Sequence, residues 1–186
     1  MTFVPGPIQT DPWAGCGGWT VMGTGRIVIY NGDSEDTVSA ALGKAIALSN
    51  RGEKVGVIQF LKGKNVLDAP LTRRLEPEIK MFRFEKSTRD FDGLSPEEKE
   101  DEIANIRNGL NYARKVLATG QFDALFLDEV LELIAMKVIT ADELEQLLSA
   151  RGFTDVFLTG HTVCDEAFTF VDEIIELKSV QFKNYG

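Results

Sequence analysis

Basic charge is scarce in this 186-residue chain: 20 Lys and Arg face 29 Asp and Glu, a net charge of −9 near neutral pH, with no dense Lys/Arg run. That argues against a general nucleic-acid binder, whose affinity rests on cations that displace counterions from phosphates. Cysteine is scarcer still. Cys16 and Cys164 lie far apart without the spacing of a metal site, so they read as free thiols in a reducing, cytoplasmic setting. Histidine occurs once, as His161. The first seven residues lack the basic and apolar regions of a signal peptide, and no run approaches the roughly 18 apolar residues of a membrane span. No membrane contact is expected. What is present, 44% hydrophobic and 26% charged residues, is the composition of a globular chain with a sizeable core.

Residues 1–24 carry both tryptophans (Trp13 and Trp19) and many glycines without strand or helix period, and read as an irregular arm ahead of a single α/β domain over 25–186. Ile27-Val28-Ile29-Tyr30, closed by Asn31-Gly32, reads as a buried strand. Val38, Ala41, Leu42, Ala45 and Leu48 recur at helical spacing over about 36–50, with Gly52 ending the helix. A second strand covers 55–60, and 79–84 alternates apolar and charged residues as a strand near a sheet edge does. Ser95-Pro96-Glu97-Glu98 joins a capping box to an early proline; behind it Ile103, Ile106, Leu110, Ala113 and Leu117 step by three and four until Gly120. Strands at 124–127, 156–159 and 174–177 and a helix from about 140 to 151 complete the series. Strands that are apolar throughout need cover on both faces, which predicts a three-layer α/β fold with a mostly parallel sheet.

In such sheets ligands bind beyond the carboxyl ends of the strands. Residues 31–39 form the first strand-to-helix junction, the place of a phosphate loop, but they hold one glycine, no lysine and the acids Asp33, Glu35 and Asp36. The ordinary reading is a helix N-cap at Asp36 or Ser34, with acids beside the positive end of the helix dipole. Leu125-Phe126-Leu127-Asp128-Glu129 has the form of a Walker B element, an apolar strand delivering carboxylates at its end. Two solvated or capping carboxylates are the alternative. Gln59-Phe60-Leu61-Lys62-Gly63 and Thr159-Gly160-His161 add polar groups at two more strand ends, outlining one rim.

Taken in order, Tyr30-Asn31-Gly32-Asp33, the run from Val57 to Gly63, Leu127-Asp128-Glu129, Leu158-Thr159-Gly160 and Lys178-Ser179-Val180 resemble the ATP:corrinoid adenosyltransferases of cobalamin biosynthesis and salvage, over about residues 26–182. The resemblance implies a P-loop NTPase-like, RecA-like fold, a homodimer and a reductant protein as partner. It implies transfer of the 5′-deoxyadenosyl group of ATP to the reduced cobalt of a corrinoid, with release of triphosphate. By the same resemblance Asp128 and Glu129 are catalytic and, with Ser39, hold magnesium. Gly32, Asp33, Ser34, Glu35, Asp36, Thr37, Val38 and Ser39 face the nucleotide; Gln59, Lys62, Phe84 and Phe91 face the corrinoid.

The family's loop reads roughly Gly-(Asp/Asn)-Gly-Lys-Gly-Lys-Thr-Thr and falls on residues 32–39. Here Glu35 and Thr37 replace its lysines, Ser34 and Asp36 two of its glycines, and Val38 its magnesium-binding hydroxyl; Ser39 keeps the last hydroxyl. One carboxylate about 5 Å from one phosphate charge costs about 3 kcal/mol at an effective dielectric near 20. No saturable MgATP binding below millimolar concentration is therefore expected. Three readings stay open: a divergent adenosyltransferase, a non-catalytic paralogue that binds a corrinoid or a protein, and a module for a less charged ligand such as a nucleoside. Phe84 and Phe91 also read as core, Trp13 and Trp19 as cover for a planar ligand or as packing, and His161 as a polar rim residue, a cobalt ligand or a phosphate contact.

Overall fold

The computed structural model describes residues 24–61, 74–84, 89, 91–161 and 169–180. Trp13, Cys16, Trp19, Lys62 and Cys164, to which the sequence reading assigns roles, lie outside them. The described elements run β1 (Ile27–Asn31), α1 (Ser34–Ser49), β2 (Val55–Gln59), β3 (Ile79–Arg83), α2 (Pro96–Thr119), β4 (Ala124–Asp128), α3 (Val130–Ala135), α4 (Ala141–Leu148), β5 (Asp155–Gly160) and β6 (Glu173–Glu176). The strands form one sheet in the order β3-β2-β4-β5-β1-β6. Every pairing is parallel, where the sequence predicted a mostly parallel sheet, and β3 is an edge strand, as its alternation suggested.

The side-chain period of two divides the apolar residues between two cores. Ile27 and Ile29, Ile58, Leu125 and Leu127, and Val156 and Leu158 meet Ile106, Ala113 and Leu117 of α2, Leu131 and Leu133 of α3, and Leu144 and Leu147 of α4. On the opposite face Val28 and Tyr30, Val55 and Val57, Phe126 and Phe157 receive Ala41, Ala45 and Leu48 of α1. The Phe126 and Phe157 rings stack there with centroids 4.5 Å apart. Helices thus cover both faces, and strands buried on both sides have no polar positions to spare.

Local signals set the helix ends. α2 starts in a capping box, Ser95 with Glu98, carries its early proline, and stops at Gly120 in the left-handed region (φ 57°). α4 starts in a second capping box, Thr140 with Glu143. Two starts differ from expectation. α1 begins at Ser34, capped by Asp33, whose carboxylate accepts the Glu35 N–H. α3, unforeseen in the sequence, begins directly after Glu129.

Candidate functional site

The carboxyl ends of the strands bring polar side chains into one connected line. Asp128 closes β4 and is 4% exposed. In register it lies beside Gln59 of β2, and the Gln59 Nε2 donates to its Oδ2 at 3.0 Å. From β5 the Thr159 hydroxyl donates to its Oδ1 at 2.9 Å. The same hydroxyl accepts the backbone N–H of Glu129 at 2.7 Å. Farther out, Arg83 of β3 donates from Nε to the Gln59 Oε1 at 3.0 Å. Because guanidinium has no acceptor, that contact fixes the amide orientation of Gln59 and turns its NH2 toward Asp128. The line crosses four strands, from Arg83 through Gln59, Asp128 and Thr159 to the Glu129 backbone.

Burial pushes the Asp128 carboxyl above its ordinary range, while the hydrogen bonds from Gln59 and Thr159 draw it back down. Glu129, 8% exposed, turns the chain into α3 with φ 57°, a left-handed conformation that costs a non-glycine residue on the order of 1 kcal/mol. Gly160 lets β5 leave close to α3: a Cβ there would lie 2.6 Å from the Leu131 Cβ. Close packing puts His161 on Glu132 of α3, whose Oε1 accepts the His161 backbone N–H at 2.7 Å and meets its Nδ1 at 2.8 Å. His161 is thus a rim residue tied to a carboxylate, with a side chain 63% exposed.

The end of β1 is built differently. Gly32 follows the strand, with room for no Cβ, which would lie 2.7 Å from the Leu177 carbonyl oxygen. Asp33 caps α1, so positions 34–39 of the expected phosphate loop form its first turn and a half. Thr37 is fully buried and Val38 5% exposed, whereas Glu35, Asp36 and Ser39 are exposed. Val38 lines a small cavity beneath α1 together with Ala41, Asp128 and Thr159. The start of α1 and the end of β4 thus share one small cavity, and from α1 an apolar side chain, Val38, lines it. A magnesium ion fits these residues poorly. Valine takes the place of the hydroxyl ligand, Ser39 is on the exposed side of α1, and Asp128 is only 4% exposed, with its carboxylate held between Gln59 and Thr159. Among the described residues no three His, Cys, Asp or Glu side chains cluster as a metal site.

On the expected corrinoid side, Gln59 is 9% exposed and has both ends of its amide engaged within the rim. Phe84 packs on α2, against Tyr112 at 5.7 Å and over Gly109, where a Cβ would come within 2.7 Å of its ring. Phe91 belongs to a short 3-10 turn, Phe91–Gly93, with the Lys99 ammonium 5.4 Å from its ring. The sequence put Thr159 on the rim, within Thr159-Gly160-His161, without giving it a role, and did not single out Arg83 or Glu132. Register with Gln59 and Asp128 would have pointed to Arg83 and Thr159, once the strand order was known.

The sequence matches the profile of the family described as ATP:corrinoid adenosyltransferase BtuR/CobO/CobP over residues 23–184. The chain belongs to this family. Among curated relatives, the corrinoid adenosyltransferase of Escherichia coli is 28% identical over 164 residues, 84% of this chain and 78% of the relative. The corrinoid adenosyltransferase CobA of Salmonella typhimurium is 26% identical over the same shares. In this corrinoid adenosyltransferase-family chain the matched region includes the whole rim and the α1 turn. No helix among the described residues is long and apolar enough to cross a membrane.

Proposed function

We propose that the protein transfers the 5′-deoxyadenosyl group of ATP to the reduced cobalt of a corrinoid, with triphosphate as the leaving group. The family match across residues 23–184 carries this reading, and the intact line of rim contacts around Asp128 supports it. In this reading the cobalt supplies the electron pair of the new Co–C bond, and the C5′–O bond breaks toward triphosphate. The chain holds its substrates at the ends of β4, β5 and β1. It works in the cytoplasm as a homodimer, with a protein reductant.

The α1 turn sets a limit on that chemistry. Without lysine, and with Glu35 and Asp36 exposed beside the nucleotide end, triphosphate is attracted by little more than backbone N–H groups. ATP is therefore held at millimolar concentration or weaker. This observation also favours a second reading, a family protein that keeps the corrinoid and has given up ATP.

Visible absorption of cob(II)alamin under reducing conditions, with and without ATP, separates the two. Adenosylated product at high ATP supports the first reading. A spectral shift without ATP and without product supports the second, and no shift at all removes corrinoid from both. Calorimetry with MgATP is expected to show no saturation below millimolar concentration; a micromolar dissociation constant would falsify the account of the α1 turn.

A further inference from the structure

The Thr159 hydroxyl performs two tasks at once. It is fully buried at the end of β5, and its single proton goes to Asp128 because its other contact, the Glu129 N–H, is itself a donor. One oxygen therefore joins the side chain of one rim acid to the backbone of the next. Glu129 needs such a hold. It adopts the left-handed conformation without the freedom of glycine, at the junction where β4 turns into α3, and its side chain makes no capping bond to that helix. The β-branched threonine also restricts its own rotamer, so the hydroxyl keeps its direction.

We propose that Thr159 is a positioning residue, whose hydroxyl locks the Glu129 backbone in its left-handed turn and thereby sets where Glu129 carries its carboxylate. The proposal rests on the adenosyltransferase reading for its kinetic consequence, and on the hydrogen bonds alone for its structural one. Gln59 serves Asp128 from the other side, through its own hydrogen bond to Oδ2.

The test compares Thr159→Val, which keeps the shape and deletes the hydroxyl, with Thr159→Ser, which keeps the hydroxyl. Amide hydrogen exchange is read residue by residue in the full chain, and adenosylation is followed with cob(II)alamin, a chemical reductant that takes it to cob(I)alamin, and ATP. Thr159→Val is expected to speed exchange at the Glu129 N–H about tenfold or more while β4 and β5 stay protected. The same change is expected to lower kcat roughly 10- to 100-fold with the corrinoid KM unchanged. Thr159→Ser is expected to restore both. Glu129 exchange at the wild-type rate in Thr159→Val overturns the proposal, and so does equal loss of protection along all of β4 and β5. Failure of Thr159→Ser to restore either quantity also overturns it. If the unaltered protein forms no adenosylated product, it is the functional reading that fails, and the exchange comparison still decides the role of Thr159.

Discussion

At the ends of β2, β4 and β5 polar side chains hold one another, whereas at the end of β1 the helix starts at once and points acids at the solvent. Asp128 accepts from Gln59 and Thr159, while Asp33 spends its carboxylate on the Glu35 N–H of its own helix. The first region is supported from neighbouring strands, through long-range contacts that a single substitution disturbs. The second depends on local sequence, and its exposed positions, Glu35, Asp36 and Ser39, are free to change without disturbing the sheet. Within one rim, therefore, the part that would attract triphosphate is easily altered, and the part that anchors the acids is not.

The largest effect should come from breaking the first region. Asp128→Ala leaves the Gln59 amide and the Thr159 hydroxyl as buried donors with no acceptor, at a cost of about 3 kcal/mol. Urea unfolding measures it, and a loss under 1 kcal/mol would mean that the line of contacts adds little. Reversing the charge of the second region comes next. Glu35→Lys is expected to tighten MgATP binding on the order of 10- to 100-fold while changing thermal stability little; unaltered calorimetric affinity would show that charge at this turn is not what limits the nucleotide. Position 37 offers no such route, because Thr37 is fully buried and a lysine there would lose its water.

A smaller change tests whether the rim is insulated from the rest of the molecule. Ser95→Ala removes the α2 cap at a cost of about 1 kcal/mol and should leave corrinoid spectra and MgATP affinity as they were. The cap has its own pH signature. The Glu98 carboxyl lies below the usual glutamate range, held there by the Ser95 backbone N–H and then by Arg89. Its stabilisation is therefore complete above the ordinary glutamate pKa and fades as the pH falls through the lower folded value. Thermal melts at descending pH should show that loss in the parent chain and less of it in Glu98→Gln.

Elements with strong local signals were legible in the sequence. The β-branched run at 27–30, the capping box at Ser95 and the stepped apolar residues behind it place β1 and α2 within a residue or two. α3 was not legible. Its six residues, Val130–Ala135, continue the apolar run of β4 with one glutamate among them, too short for a helical period to declare itself. The turn before it uses Glu129, with no glycine, proline or asparagine to announce a break. The rim was legible as a set of strand ends and illegible as a set of contacts. Gln59 looked like a free polar group for a corrinoid, yet its partners Arg83 and Asp128 lie 24 and 69 residues away. Only the strand order β3-β2-β4 makes them neighbours.

The hold on Asp128 has a consequence for reading relatives of this chain. An aspartate that laces its strand to both neighbours would be retained by a protein that had abandoned nucleotide chemistry altogether, because its loss loosens the upper seam of the sheet. A Leu-Asp-Glu run thus testifies to architecture before it testifies to turnover, and the exposed positions of the α1 turn, Glu35, Asp36 and Ser39, are the better place to look for whether a family member still uses ATP.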